Sequence, residues 1–360
     1  MSAAEATVRR VVLAAPDAFK GTAGAVEIAD AVARGTAGVG DGWDCDRCPL
    51  SDGGEGFATV MAHASADRGQ GGGRWHETTV TGPLGAPVTA RWWMGADTSG
   101  PRAVVESAAA SGLALAGGAA GNDPMAASTR GTGELLVAAA RAGARAILVG
   151  VGGSATTDGG RGALEAVEEA GGLDDVELVV ACDVGTRFAD AARVLGPQKG
   201  ADPDQVVQLG ARLDALAAAY RDRYGVDVAA LAGAGAAGGL GGGLAAIGAR
   251  LVAGFDVVAD AVGLHPRLVG ATLVVTGEGR LDATSWSGKV VGGVVATAAE
   301  LGRPVLVVAG AVDPGWRSGL GAGPEPTVVD LSERFGEEAA KAEPARWVAE
   351  AIRAELLFRA

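Results

Sequence analysis

The segment Val11–Gly21, VVLAAPDAFKG, decides how the fold is read. Its apolar run Val11–Ala15 stops at a Pro-Asp pair, a lysine and a glycine follow, and a helical stretch runs from about Ala23 to Arg34. A short apolar strand bounded by turn residues and followed by a helix is the repeating unit of a parallel sheet. Cys45–Leu50 repeats the pattern and leads into a second helix from about Gly54. It returns in Thr272–Thr276, Pro304–Ala309 and Thr327–Leu331, with helical stretches around Val290–Leu301 and Ala345–Leu357. Two strands from the front and three from the back predict a five-stranded α/β domain.

Between these ends the pattern changes. Thr78–Met94, TTVTGPLGAPVTARWWM, alternates residue by residue about a Gly-Pro turn, as antiparallel strands do. An apolar strand at Ile147–Val151, a helix over Gly162–Ala170, a strand at Leu178–Ala181 and a helix over Pro203–Tyr220 follow. The expectation is a second, mixed α/β domain at 78–264, inserted into a first made of 1–77 plus 265–360. A length of 360 residues agrees, at about 150 per domain.

Composition narrows the function. The chain is 48% hydrophobic and carries 30 basic against 43 acidic residues, a net charge of −13. That charge repels nucleic-acid backbones and anionic lipid, and no run of Lys and Arg offsets it. The first residues, MSAAEATVRR, lack the apolar core of a signal peptide, and no apolar stretch reaches the roughly 18 residues of a membrane span, so a cytoplasmic protein is expected. Cys45 and Cys48 form a lone C-x-x-C, with Cys182 far away and His63, His76 and His265 scattered. Without a second ligand pair this reads as strand residues, not a metal or redox site.

Ligands of open parallel sheets sit beyond the carboxyl ends of the strands. There the chain places Asp17 and Lys20, then Asp52 and Glu55 in SDGGEG, then Glu278, Arg280 and Asp282 in TGEGRLD, with Lys289 a little further on. Any one of the acids alone reads as a helix cap. Seven such groups expected on one sheet edge, mixing acids with bases, read as a phosphoryl-transfer site, since acids hold magnesium and bases hold phosphate or carboxylate.

Gly152–Gly160, GGSATTDGG, follows an apolar strand and precedes a helix. Its backbone amides and hydroxyls suit phosphate, with Gly152, Gly153, Ser154, Thr156 and Thr157 as candidates, although no Walker A sequence occurs in the chain. Asp183 follows the next strand, and Gly196–Gly200 holds Lys199 between turn residues, poised for a fixed anion. Gly233-x-Gly235-x-x-Gly238 matches a dinucleotide fingerprint by letter but lacks its strand and helix. The surrounding tract Gly233–Gly243, nearly all small residues, reads as either a close-packed crossing or a mobile loop, and is the candidate hinge.

Taken in order, APDAFKG (Ala15–Gly21), SDGGEG (Ser51–Gly56), ESAAASGL (Glu106–Leu113), STRGTGEL (Ser128–Leu135), GGSATTDGG, GPQKGA (Gly196–Ala201) and TGEGRLD (Thr276–Asp282) resemble the bacterial type I glycerate kinases, the glycerate 2-kinase family. Ala18 stands where that family usually has Ser, and Thr157 where Asn or Val is commoner. The resemblance implies a flavodoxin-like domain with an inserted α/β domain, and ATP, magnesium and D-glycerate, with phosphate delivered to the 2-hydroxyl. On that expectation Lys20 or Arg280 grips the substrate carboxylate beside Asp17 and Lys289, and polyphosphate lies along Gly152–Thr157. Lys199 or Lys289 offsets charge, Glu278 and Asp282 hold magnesium, and Asp52 or Asp183 takes the proton in a cleft between two domains. A monomer or homodimer is expected. A kinase of another small hydroxy acid or polyol, and a non-catalytic nucleotide-binding regulator, are the competing readings.

Overall fold

The computed structural model describes residues 10–40, 42–69, 72–97, 99–182, 185–321 and 323–359. Its strands are β1 (Arg10–Ala14), β2 (Trp43–Arg47), β3 (Arg74–Thr81), β4 (Pro87–Asp97), β5 (Gly100–Glu106), β6 (Ala146–Gly150), β7 (Glu177–Cys182), β8 (Arg250–Ala253), β9 (Leu273–Leu281), β10 (Val305–Val312) and β11 (Thr327–Asp330). They form two sheets, in two compact units: Met1–Ser51 with Val258–Ala360, and Asp52–Val257.

In the first unit the strand order is β11-β10-β9-β1-β2, every pairing parallel. Renumbered within the unit this is 2-1-3-4-5, the flavodoxin-like order. Both faces are covered, which explains the unbroken apolar strands. Leu306 and Val308 of β10 face Ile28, Val32, Val348 and Ile352 of the helices Ala25–Ala37 and Pro344–Arg359. Val307 and Ala309 face Val291 and Val295 of the helix Val290–Glu300. Each of these Val, Leu and Ile side chains contributes about 1.5–3 kcal/mol when fully buried. The two helices on the first face approach closely because Gly35 has no side chain: a Cβ there would lie 2.5 Å from Ala349 O.

The second unit has the order β3-β4-β5-β6-β7-β8, antiparallel through β5 and parallel from β5 to β8. The mixed α/β class follows from the sequence, but β5 and β8 were not anticipated. Along β4, Ala90 and Trp92 point into the core and Arg91 out. The indole of Trp92 donates to Thr78 Oγ1 at 3.0 Å and stacks on His76. Cys45 lies in β2, where burial pushes its thiol up to about 11, so it stays protonated.

The units divide after Ser51 and after Val257, where the alternation of strand and helix had put the breaks at 77/78 and 264/265. The helix Phe57–Asp67 accounts for the first difference, because it follows β2 in the chain but packs on β4 and β5. Among the described residues no helix is long and apolar enough to cross a membrane.

Candidate active site

In the second unit three motifs meet at the carboxyl ends of the parallel strands. Gly150 ends β6, and a Cβ there would lie 2.7 Å from Gly53 O. Gly53 itself holds φ +92°, with Ala181 O of β7 at 2.6 Å from where its Cβ would be. Asp52 Oδ1 accepts from the Gly54 amide at 3.1 Å, which closes the SDGGEG turn. Glu106, at the end of β5, accepts from the Ala58 amide at 2.7 Å and so caps the helix Phe57–Asp67 from outside. Burial pushes its carboxyl up, against the pull of the Ala58 and Gly56 amides.

The Gly152–Gly160 loop joins β6 to the helix Arg161–Glu169. Its carbonyls are tied to the scaffold: Gly153 O accepts from Leu113 N at 2.8 Å, Ala155 O from Asn122 Nδ2 at 3.0 Å, Thr156 O from Lys199 Nζ at 2.6 Å and Gly159 O from Tyr220 OH at 3.0 Å. The amides of Ser154, Thr156 and Thr157 meet no acceptor among the described residues. Thr157 Oγ1 is buried and has no partner either. Three amides and a hydroxyl without protein partners, in a loop that opens onto a helix N-terminus, suit an anion. Asp158 anchors its far end, accepting from Thr129 N and Oγ1 at 2.8 Å each, from Gly160 N at 3.1 Å and from Gly162 N at 3.2 Å.

The glycine tract is the loop's mould, not the hinge the sequence suggested. Ala236–Ala246 forms two helical pieces joined by a left-handed kink at Ala237, Gly238 and Gly239, and all its residues are buried. A Cβ on Gly238 would lie 2.0 Å from Thr156 O, and one on Gly243 would lie 2.6 Å from Gly159 O. Small residues let this backbone lie directly against the loop's.

Lys199 also departs from expectation. Expected as a lysine held in a turn and poised for a fixed anion, it is 2% exposed, and its Nζ donates to Ser154 Oγ at 2.9 Å and Thr156 O. Burial lowers its pKa to about 7, with Asp158 pulling the other way. Asp183 lies outside the described residues.

The first unit carries its own cavity, about 360 Å³, at the carboxyl ends of β9 and β10. Lys20, Arg280, Lys289 and Lys341 line it together with Glu278, Glu337 and Ser332. Arg280 pairs with Asp313 at 2.5 Å, Lys341 with Glu337 at 2.6 Å, and Lys289 donates to Thr284 Oγ1 at 2.7 Å. Asp17 is buried beside the cavity's Ala18, whose amide its Oδ1 accepts at 2.7 Å. Burial pushes Glu278 up, while a Ser285 hydrogen bond, Lys289 and Lys20 pull it down, and its Oε1 is buried without a partner.

Five of the seven strand-end groups expected on one sheet edge therefore belong to this unit. Asp52 and Glu55 belong to the other. Asp282 is absent from the cavity wall and caps the turn Ala283–Trp286, its Oδ1 accepting from Thr284 N at 2.7 Å and Thr284 Oγ1 at 2.6 Å. Those bonds hold its carboxyl below the usual range. Sequence reasoning missed Lys341, which looks like half of a surface ion pair, and Glu106, Asn122, Asp158 and Tyr220, whose partners are distant in the chain.

A parallel-sheet protein with an amide-lined loop in one unit and a cation-rich cavity in the other belongs to the class of enzymes that handle anionic substrates. The family model for the glycerate kinase family matches residues 12–170 and 168–355, so the chain belongs to the glycerate kinase family and is a kinase. It is 38% identical to the glycerate 2-kinase of Escherichia coli (strain K12) over 84% of this chain and 85% of that one. The glycerate kinase of Bacillus subtilis (strain 168) is also 38% identical, with the same coverage. A crystal structure from Salmonella typhimurium LT2, assigned as glycerate kinase 2, is 34% identical, covers 97% of this chain and 98% of its own, and gives a TM-score of 0.76.

Proposed function

We propose that this chain uses ATP to phosphorylate D-glycerate at the 2-hydroxyl, releasing 2-phosphoglycerate and ADP. The observation that carries the reading is the Gly152–Thr157 loop, where the carbonyls of Gly153, Ala155 and Thr156 are engaged and the amides of Ser154, Thr156 and Thr157, with the buried Thr157 hydroxyl, meet no partner among the described residues. The similarity to kinases named for glycerate supports the substrate.

On this reading the cavity cations take the organic acid. A small carboxylate on a chain of net charge −13 needs a local cation, and Lys20 and Arg280 supply it, with Lys289 and the buried Asp17 fixing the substrate's hydroxyls. Asp52, held in its turn by the Gly54 amide, serves as the base that takes the 2-hydroxyl proton, with Asp183 the other candidate. Lys199 braces the phosphate loop. Magnesium fits the donors present: Glu278 offers a buried carboxylate oxygen that no protein group uses, and hard oxygen ligands suit this ion. Glu278 would hold it, and when bound it would offset phosphate charge.

The test is an ADP-release assay with magnesium over D-glycerate, other small hydroxy acids and polyols, followed by phosphorus NMR of the product. D-glycerate is expected to turn over fastest and to give 2-phosphoglycerate. Faster turnover of another hydroxy acid or polyol, or a 3-phosphoglycerate product, overturns the assignment.

A further inference from the structure

A buried ammonium has three protons to place and favours a nearby anion, whereas a neutral amine has two. Lys199 has two acceptors, and neither is charged: Ser154 Oγ at 2.9 Å and Thr156 O at 2.6 Å. Among the described residues the charged group acting on it is Asp158. That carboxylate makes no ion pair with it and is already engaged by Thr129, Gly160 and Gly162. The helix Gly118–Gly121, packed on the turn Pro197–Lys199, brings no charge, and its neighbour Asn122 is neutral. The helix Ala191–Leu195 brings Arg193, which is exposed and paired with Asp190 at 2.9 Å.

We infer that nucleotide binding at the Gly152–Thr157 loop is coupled to the uptake of one proton by Lys199, which changes from a neutral brace into the cation that balances the phosphate. This deepens the proposed nucleotide role of the loop and rests on it. Polyphosphate seated on the amides of Ser154, Thr156 and Thr157 brings negative charge to the two residues that hold Nζ, and nearby negative charge favours the ammonium. The amine lone pair takes a proton from solvent, one N–H bond forms and no group leaves. With a pKa of about 7 before binding, Lys199 is mostly neutral at pH 8.

The experiment is calorimetric titration of the full chain with ATP, without glycerate, at pH 8 in buffers of different ionisation enthalpy. At that pH the terminal phosphate is already ionised. Uptake of about 0.9 proton per ATP is expected, with affinity falling up to about tenfold per pH unit above 7. Lys199→Met should abolish the uptake and flatten the pH dependence. Lys199→Arg, always charged, should bind ATP without uptake and covers the case in which the Met variant does not fold. Wild-type protein that binds ATP without taking up protons, or uptake undiminished in either variant, overturns the coupling. Wild-type protein that binds no ATP refutes the nucleotide role of the loop and the coupling with it, a result distinct from binding without protons.

Discussion

Gly238→Ala is the perturbation that most directly tests the glycine tract as the mould of the phosphate loop. Gly238 holds φ +69°, where a side chain costs about 1–2 kcal/mol. The added Cβ would lie 2.0 Å from Thr156 O, 2.7 Å from Thr157 Cα and 2.8 Å from Thr156 C, all of them backbone. Backbone cannot swing aside as a flexible side chain does, so overpacking adds about 1–3 kcal/mol. The sum, about 2–5 kcal/mol, corresponds to a drop in Tm on the order of 10 °C for a unit of this size. Because the clash falls on the carbonyl that Lys199 Nζ holds, ATP affinity should fall as well, by about tenfold for each 1.4 kcal/mol of loop displacement that binding must reverse. Thermal unfolding and ATP titration of Gly238→Ala read both effects. Gly210→Ala, inside the helix Pro203–Tyr224 with nothing within 4 Å of the new methyl, is the control and should gain about 0.5–1 kcal/mol. A Gly238→Ala protein with wild-type Tm and ATP affinity would refute the mould.

Lys20→Ala and Arg280→Ala should each lower kcat/KM for glycerate by on the order of 10²–10³, as loss of a charge-stabilising donor does in other enzymes, while leaving ATP affinity unchanged in calorimetry. Lys199 has a folded pKa of about 7 against 10.5 for the unfolded chain, so the unfolded state binds more protons between those values. Urea unfolding should therefore show wild-type stability rising relative to Lys199→Met from pH 7 to 10.5 and a constant difference below 7. Glu106 is shifted the other way for an acid: burial raises its carboxyl above 4.5, so its favourable protonated form is lost as pH rises through the folded value. Glu106→Gln, compared with wild type by urea unfolding at pH 4 and pH 7, should gain relative stability at the higher pH.

The first unit was legible because each of its strands carries its own signal. Val12, Leu13, Val274, Val275, Leu306 and Val307 are apolar in sequence since both sheet faces are covered, and parallel strands in that setting cannot alternate. Strands β5 and β8 escaped for the opposite reason. The half-exposed pattern of GPRAVVE and the brevity of RLVA leave little periodicity to read, and their place is fixed by neighbours, β6 on one side and β7 on the other. The helix Phe57–Asp67 was seen but assigned to the wrong unit, since its partners β4 and β5 are chosen by packing and not by chain order.

The site shows where residue type stops being informative. Asp17, Asp52, Asp158 and Asp282 each follow a strand or a loop and look alike in sequence, yet all four bond to a backbone amide close by in the chain. A carboxylate that closes its own turn still has a second oxygen, so capping and chemistry do not compete for the residue, only for one lone-pair direction. What separates them is what else reaches the same atoms. Asp158 gathers donors from Thr129, Gly160 and Gly162, which leaves little capacity for a ligand. Lys199 carries the same lesson with the sign reversed, because a lysine between turn residues reads as poised for an external anion until Ser154 and Thr156, more than forty positions earlier, enclose it. Enclosure by partners remote in sequence is what turns an ordinary charge into one whose protonation depends on a ligand, and that property is written in the packing of the loop against its glycine mould.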